Sequence, residues 1–395
     1  MSIETERLYY QDCYLRDFHA RITGTADDGR RVYLDRTAFY PTSGGQPFDA
    51  GTLGGAKVID VIDEEERIAH VLETPLSAAQ VETPLSEAQV EGHVDWERRF
   101  DHMQQHTGQH LLSAVLEELF AIPTLSFHMG AEVSTIEVGA AALDTGQIGR
   151  VEERCAEIVS EARPVVVTFD QASEDLGLRK ASQRSGTLRV VSIAGIDRSA
   201  CGGTHVRSTA EIGLVLIRKL DKIRGNVRLE FVCGLRALRQ ARADFRTLLE
   251  ISRHLSTPIE RTPDLVAAQV ERIRVLEKSN QRLATEVARR EGRELWTATE
   301  PGADGLRRVT EPGPIDDAMR VRAQAFAAQG HAVFIAVSEN PPAVLLAASS
   351  DSGVHAGERL RAAVTAAGGR GGGNQALAQG SVPSTADFNG VLARL

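Results

Sequence analysis

The sequence predicts an α+β protein built from a small N-terminal β-barrel, an α/β core, a helical arm and a small α/β C-terminal domain. Residues 1–94 predict mostly strands, because apolar and polar side chains alternate there between turn residues. Residues 241–298 are highly charged and carry apolar side chains at helical spacing. The stretches 95–240 and 299–395 mix strand and helix patterns, which favours α/β layers. A chain of 395 residues is long enough for several separate hydrophobic cores.

Composition narrows the class of protein further. Apolar and charged contents are ordinary for a globular protein, no apolar run approaches a membrane span, and the N-terminus lacks a signal-peptide pattern. The four cysteines are irregularly spaced and do not suggest a disulfide framework, so we expect a cytoplasmic protein with reduced thiols. A net charge of −9 argues against broad nonspecific binding to nucleic acid, although a local basic face would suffice for RNA.

Two predicted hairpins define the N-terminal domain. Residues 21–25 and 31–35 alternate on either side of an Asp-Asp-Gly turn, and residues 57–62 and 68–72 flank an acidic turn in the same manner. Residues 73–90 then hold a near-perfect tandem duplication of nine residues. A repeat this short that contains proline predicts a surface loop, and we assign it no function.

A glycine-rich stretch at 37–51 lies between the two hairpins. Gly44 and Gly45 would let backbone N–H groups approach a ligand closely, and Gln46 offers both a donor and an acceptor. On composition alone, a plain glycine turn is the simpler interpretation.

Two pairs of residues predict a metal site. His106 and His110 are four residues apart in a segment with helical apolar spacing, so their imidazoles share one face of a helix. Cys201 and His205 have the same spacing, but the two glycines between them favour a tight loop. Nitrogen and sulfur donors of this kind suit Zn²⁺. The pairs are too far apart for a zinc finger, and Thr107 stands where a His-Glu-x-x-His protease needs glutamate.

The same residues carry a resemblance to a known family. His-Thr-Gly-Gln-His at 106–110, followed by Cys-Gly-Gly-Thr-His at 201–205, resembles the editing domain of alanyl-tRNA synthetase and the free-standing AlaX-type editing proteins. The stretch 37–51 is similar to the glycine-rich motif of that family. These proteins hydrolyse alanine tRNA that has been mischarged, chiefly with serine. The resemblance therefore implies a zinc-containing editing core within 95–240.

The resemblance also implies roles for individual residues. Thr37 matches a family threonine whose hydroxyl faces the aminoacyl group. On the residues alone, His128 could be purely structural, and Asp197 and Arg228 could form a structural ion pair. The implied site consists of catalytic Thr37, Gln46 and His128, substrate-binding Gly44, Gly45, Phe127, Asp197 and Arg228, and the zinc ligands His106, His110, Cys201 and His205.

The C-terminal domain contains a second glycine-rich stretch, at 368–380. It is not a Walker loop, because no Gly-Lys-Ser/Thr follows, and by itself it would predict a flexible loop. Its form resembles the signature of the C-terminal tRNA-binding domain of alanyl-tRNA synthetase, which implies tRNA binding without a nucleotide cofactor. The implied tRNA-binding residues are Arg370, Gly371, Gly372, Gly373, Gln379 and Gly380.

The predicted helical arm carries an interrupted heptad pattern. Gln269 and Arg290 break the second apolar seam, which makes a long coiled-coil dimer doubtful. We expect an arm that packs on itself or on a neighbour, in a monomer or a homodimer. The seam residues are Val266, Ile273, Asn280 and Val287 at one heptad position and Leu276 and Leu283 at the other.

The resemblance implies zinc-dependent hydrolysis of the aminoacyl ester in Ser-tRNA(Ala). In this interpretation the Thr37 hydroxyl selects serine by a hydrogen bond to the serine hydroxyl. Four protein ligands form a closed zinc site, whereas hydrolytic zinc normally keeps one coordination position open. Either one ligand, such as His205, is loosely bound, or zinc only positions the substrate. Two alternatives remain open at this point: editing of mischarged threonine tRNA, and a non-catalytic RNA-binding protein stabilised by zinc.

Overall fold

The computed structural model divides the chain into two compact units, Met1–Glu250 and Ile251–Leu395. The mixed α/β character predicted from the sequence is confirmed, while the three boundaries proposed between the four predicted domains stay a prediction. Most of the duplication at 73–90 lies outside the described residues. The structure describes residues 4–76, 88–172, 176–182 and 185–395.

The first part of unit Met1–Glu250 is a ring of antiparallel strands. Six strands close into a barrel in the order β2-β3-β7-β6-β5-β8, and β8 pairs back with β2. The period-two burial of β8, in which every second side chain is buried, shows how the alternating sequence fills the barrel interior. The barrel strands are β2 (Asp17–Ala26), β3 (Arg31–Leu34), β5 (Gly51–Leu53), β6 (Ala56–Glu64), β7 (Arg67–Leu72) and β8 (Gln89–Val94). Two short strands, β1 (Glu6–Arg7) and β4 (Arg36–Thr37), form a separate parallel pair.

A long helix, α1 (Trp96–Phe120), follows the barrel directly. The sequence predicts Asp95 as its N-cap and an end before Pro123, and the Asp95 carboxylate accepts a hydrogen bond from the Arg98 N–H at 3.2 Å. The helix ends at Ala121, which adopts the left-handed conformation two residues before Pro123. Its start and its end therefore agree with the signals in the sequence.

Helix α1 is buried on several sides, so its polar side chains bind neighbouring elements. The Arg99 guanidinium forms a fully buried ion pair with Asp49 of the barrel at 3.0 Å. The Gln105 carboxamide exchanges two hydrogen bonds with the backbone of Cys233, at 2.8 and 3.0 Å. Gly108 is required here, because a Cβ at that position would lie 2.2 Å from the Cys233 Sγ. These contacts fix the helix between the barrel and the core sheet.

Two sheets and two further helices complete the first unit. One sheet has the order β14-β15-β10-β9 and the other the order β11-β12-β13. The sequence predicts a helix that starts near Val151, but helix α2 starts earlier, at Thr145, because Asp144 and Gln147 form a capping box. The elements are β9 (Thr124–Met129), β10 (Ser134–Val138), α2 (Thr145–Ser160), β11 (Val165–Gln171), β12 (Thr187–Ile193), β13 (Asp197–Ala200), β14 (Val215–Ile223), β15 (Asn226–Cys233) and α3 (Gly234–His254).

One strand boundary was predicted wrongly. The alternating run at 212–217 predicts a strand from Ile212, but the strand begins only at Val215. The preceding residues form a 3-10 turn that Ser208 caps. Gly213 separates the two with a φ of +69°. The 3-10 turns are Leu8–Tyr10, Thr209–Ile212, Ile259–Arg261 and Thr385–Asp387.

The second unit, Ile251–Leu395, contains a long helix and one five-stranded sheet. The sheet has the order β16-β17-β18-β20-β19. Thr262, Pro263 and Asp264 predict a helix start with proline in the first turn, and the long helix does start at Thr262. The six seam residues give it no continuous buried face. Strand β16 and helix α5 were not anticipated. The elements are α4 (Thr262–Ala298), β16 (Arg307–Pro312), α5 (Asp317–Ala327), β17 (Ala332–Glu339), β18 (Pro342–Ala348), α6 (Ala356–Ala366), β19 (Arg370–Gly373), β20 (Leu377–Ser381) and α7 (Phe388–Leu392).

No helix among the described residues has both the length and the apolar character that a membrane span requires.

Candidate metal centre and cleft

The four predicted donors lie together in the first unit. The ligand atoms of His106, His110, Cys201 and His205 are all within 4.8 Å of one another. The Cys201 Sγ lies 3.5 Å from the His106 Nε2 and 3.3 Å from the His205 Nε2. Tetrahedral zinc with ordinary Zn–S and Zn–N bonds places such donors about 3.6 Å apart. The two distances from Cys201 therefore fit a shared zinc ion.

Each histidine of the set is oriented by a hydrogen bond at its Nδ1 atom. The His110 Nδ1 lies 2.7 Å from an Asp197 carboxylate oxygen, and the His205 Nδ1 lies 3.1 Å from the Thr107 hydroxyl. The His106 Nδ1 lies 2.8 Å from the Gln46 Oε1. Acceptors at all three Nδ1 atoms favour protons there and leave the Nε2 atoms free for a metal.

Gln46 joins the two halves of the metal centre. Its Oε1 accepts from both the His106 ring and the Thr204 N–H, at 2.8 and 3.1 Å, and its Nε2 donates to the Thr204 hydroxyl at 2.8 Å. Gln46 is completely buried. Its side chain is therefore occupied in holding His106 and the cysteine loop in place.

The cysteine loop is shaped by close packing and by one arginine. A Cβ on Gly203 would lie 2.1 Å from the His106 ring, so only glycine fits there. The Arg189 guanidinium donates to the carbonyls of Cys201 and Gly203, at 2.7 and 2.9 Å, and to the Tyr10 carbonyl at 3.1 Å. These bonds fix the loop against the N-terminal segment.

The environment sets the protonation of the donors. Burial alone would raise the pKa of the Cys201 thiol, but His106 and His205 beside it bring that pKa well below its usual range. Burial lowers the pKa of His205 to about 3 despite the attraction of Cys201. Burial also opposes protonation of His110, yet its bond to Asp197 raises that pKa to about 9. At neutral pH the set thus offers a thiolate and a neutral His205, the forms that bind metals, whereas His110 carries a proton that it must release when a metal binds.

An open cleft of about 900 Å³ gives access to the metal centre. His106, His110 and Cys201 line it, and so do the predicted binding residues Gly44 and Phe127. The cleft is thus bounded by the glycine-rich loop, by helix α1 and by strand β9.

Comparison with known proteins identifies the family. Residues 188–229 match the family described as the threonyl and alanyl tRNA synthetase second additional domain. Across 416 aligned positions, the chain is 32% identical to the alanyl-tRNA editing protein AlaX-L of Pyrococcus horikoshii, with 99% of this chain and 98% of that protein covered. This chain belongs to the alanyl-tRNA editing protein family.

A second relative supports this assignment. The alanyl-tRNA editing protein AlaX-M of Methanosarcina acetivorans is 36% identical over 242 residues, which cover 58% of this chain and 98% of that protein. The C-Ala domain of Aquifex aeolicus alanyl-tRNA synthetase matches 24% of this chain and 89% of its own at 20% identity, with a TM-score of 0.21. At that TM-score the likeness carries no argument.

Several residues implied by the editing-family resemblance do not line the cleft. The Thr37 hydroxyl is completely buried, 2.8 Å from the Nε2 of His70 on barrel strand β7 and 3.1 Å from the Phe39 N–H. His128 and Arg228 are exposed and lie outside the cleft lining. Their proposed contacts with a substrate stay predictions.

Two other implied residues have structural partners. Gly45 packs against Phe127, since a Cβ there would lie 2.8 Å from the Phe127 carbonyl oxygen. Asp197 binds His110, and it pairs with Arg179 at 2.6 Å rather than with Arg228. Asp197 is thus placed to orient a metal ligand.

Gln109 is a cleft residue that was not singled out from the sequence. It precedes His110 on helix α1, lines the cleft and donates from its Nε2 to the Ser113 hydroxyl at 2.8 Å. The Thr124 hydroxyl also donates to Ser113, at 2.7 Å. The sequence signal that could have identified Gln109 is its position three residues after His106, because residues three apart lie on the same side of a helix.

The C-terminal glycine signature of this editing-family chain forms an ordered hairpin, not a loop. Gly371 and Gly380 are directly opposed, and a Cβ on Gly371 would lie 2.8 Å from the Gly380 Cα. A Cβ on Gly373 would lie 2.2 Å from the Leu377 carbonyl oxygen. Gln379 accepts hydrogen bonds from Arg320, whereas the Arg370 side chain is exposed. Close packing between the two strands therefore explains why glycine is required at these positions. Contacts between these glycines and tRNA stay a prediction.

Proposed function

We propose that this protein is a trans-editing hydrolase that deacylates alanine tRNA mischarged chiefly with serine, in a Zn²⁺-dependent reaction. The observation that supports it most is a buried set of four metal donors, each histidine oriented by its own acceptor, on the wall of an open cleft. A purely structural zinc site needs no such access.

Zn²⁺ held by His106, His110, Cys201 and His205 would supply a Lewis acid for the ester carbonyl or hold the substrate amine. The spacing of the donors and the occupied Nδ1 atoms support this ion. The charge of the Cys201 thiolate reduces the net charge of the ion, and Asp197 stabilises His110 in its binding orientation.

Recognition of serine rather than alanine needs a polar group that bonds the serine hydroxyl. A site built around such a bond rejects a substrate that lacks it. Thr37 was predicted for this role, but its hydroxyl already binds His70. Gln109 offers an acceptor on the cleft wall, because its Nε2 is held by Ser113 and its Oε1 has no hydrogen-bond partner among the described residues. We therefore propose that Gln109 contributes to the choice of serine.

The second unit is proposed to bind the tRNA(Ala) body. Arg370 is exposed, and its side chain forms no ion pair with any residue that the structure describes. A free guanidinium beside a glycine hairpin allows a phosphate to approach the backbone closely. Contact with the tRNA body would restrict the hydrolase to alanine tRNA.

The test is release of serine from Ser-tRNA(Ala), with Ala-tRNA(Ala) and Ser-tRNA(Ser) as controls. Cys201→Ala removes a metal donor and should abolish turnover. Cys155→Ala is the matched control, because this buried thiol belongs neither to the donor set nor to the cleft and its variant should remain active. Retained turnover in Cys201→Ala, in a protein shown to be folded, would refute the proposed role of the metal.

Absence of turnover on all three substrates by the zinc-loaded protein would favour the structural-zinc interpretation, in which the closed set of four donors only stabilises the fold. Equal turnover of Ser-tRNA(Ser) would retain the chemistry and refute the tRNA specificity.

A further inference from the structure

The mouth of the cleft exposes two large apolar side chains. Phe169 on strand β11 is 52% exposed and Leu125 on strand β9 is 45% exposed. Both line the cleft, and they are the only strongly exposed large apolar side chains that do so among the residues the structure describes. Exposed aromatic surface at a cleft is typical of a ligand-binding site.

Strand pairing places Phe169 on the same side as the metal centre. Phe169 is directly opposed to Arg189 in the antiparallel pair of β11 and β12. Directly opposed residues point to the same face of a sheet, with Cβ atoms about 5 Å apart. The Arg189 guanidinium binds the carbonyls of Cys201 and Gly203. Phe169 therefore lies beside the residue that holds the cysteine loop.

We propose that Phe169 is a stacking platform for the base of an unpaired nucleotide at the 3′ end of the tRNA, with Leu125 on the facing wall. This inference rests on the proposed function. The ester at the metal centre is attached to the terminal ribose, so the base of that nucleotide must lie in the same cleft.

Size and charge support a nucleotide as the occupant. The cleft volume of about 900 Å³ lies at the upper end of the range for small-ligand sites and far exceeds a seryl group. Unpaired bases stack on aromatic side chains, which gives affinity without strict dependence on sequence. Lys180 is exposed on the cleft lining and has no ion pair among the described residues, so it is available to a phosphate.

The experiment compares three variants of the full-length, zinc-loaded protein. Phe169→Ala removes the ring, and Phe169→Tyr preserves a stacking surface. Val166→Ala is the matched control, because Val166 is 49% exposed on the same strand but points to the opposite face and does not line the cleft. Thermal unfolding of each variant checks that the sheet is intact.

Two quantities are measured for each variant. One is the KM for Ser-tRNA(Ala). The other is the fluorescence of uncharged tRNA(Ala) that carries 2-aminopurine as its 3′-terminal base, since stacking quenches this fluorophore. We expect Phe169→Ala to raise the KM roughly 5- to 100-fold and to abolish the quenching, as loss of one base–aromatic stack predicts. Phe169→Tyr and Val166→Ala should behave as the wild type.

The stacking proposal is overturned if Phe169→Ala retains the wild-type KM and quenching, or if Val166→Ala loses as much as Phe169→Ala does. The failure of the proposed function gives a different result. In that case the wild type shows no deacylation, while quenching that depends on Phe169 would still establish the platform for tRNA.

Discussion

Gln46 provides the sharpest test of how the metal centre is held. Gln46→Met keeps the length of the side chain but removes every hydrogen bond that it makes with His106 and Thr204. Two buried N–H donors, the His106 Nδ1–H and the Thr204 N–H, then lose their acceptor. At about 1–3 kcal/mol for each orphaned donor, the zinc-bound protein should lose about 2–6 kcal/mol of stability.

Part of this loss should appear as weaker zinc binding. Removal of a group that orients a metal-binding histidine costs about 10- to 100-fold in affinity, which is about 1.4–2.8 kcal/mol and matches the share of one orphaned donor. Gln46→Glu is the matched control, because its carboxylate still accepts hydrogen bonds from the His106 ring and the Thr204 N–H. The Thr204 hydroxyl can rotate to donate a hydrogen bond to the same carboxylate. It should retain most of the affinity.

Chelator competition measures zinc affinity, and urea unfolding with and without zinc measures stability. If Gln46→Met bound zinc and unfolded as the wild type does, but lost turnover when saturated with zinc, the orienting role would be refuted. Gln46 would then act on the substrate, as its implied catalytic role requires.

Three further predictions concern stability and tRNA binding. Asp49→Ala should lower the free energy of unfolding by about 3–5 kcal/mol, because it leaves the buried charge of Arg99 unpaired. A loss below about 1 kcal/mol, measured by urea unfolding, would contradict this prediction. Burial lowers the pKa of His70 from 6.5 to about 4. As the pH falls from about 6.5 to about 4, His70 is therefore protonated in the unfolded chain but not in the folded protein. The free energy of unfolding should fall over that range by up to about 1.4 kcal/mol per pH unit, and His70→Gln should flatten this slope. Arg370→Ala should weaken tRNA binding and reduce its salt slope by about one, whereas Arg308→Ala, which breaks an exposed ion pair, should leave that slope unchanged.

The four clustered candidate donors could be found from the sequence because their chemistry is local. His106 and His110 share a helix face, and Cys201 and His205 share one tight loop, so each pair is visible within five residues. The groups that orient them gave no such signal. Gln46 and Thr204 are 158 positions apart and meet only when the barrel packs on the core.

The placement of His128 shows a signal that was available but not used. Phe127 lines the cleft, and neighbouring residues on a strand point to opposite faces, so His128 is directed away from it. The order of the C-terminal glycine stretch could not be inferred in this way. Its glycines are fixed by backbone contacts between β19 and β20, and composition does not reveal such pairing.

The binding of the cysteine loop to the N-terminal segment has a consequence for the protein in the cell. Arg189 and Gln46 connect this loop to parts of the chain that fold around the barrel, so an ion at the donors would stabilise the first unit as a whole. Free zinc at a thousand times its dissociation constant would add about 4 kcal/mol to that stability, which is comparable to the margin that keeps many proteins folded. Zinc scarcity would then raise the fraction of unfolded protein that proteases degrade, and the loss of abundance would accompany the loss of catalysis.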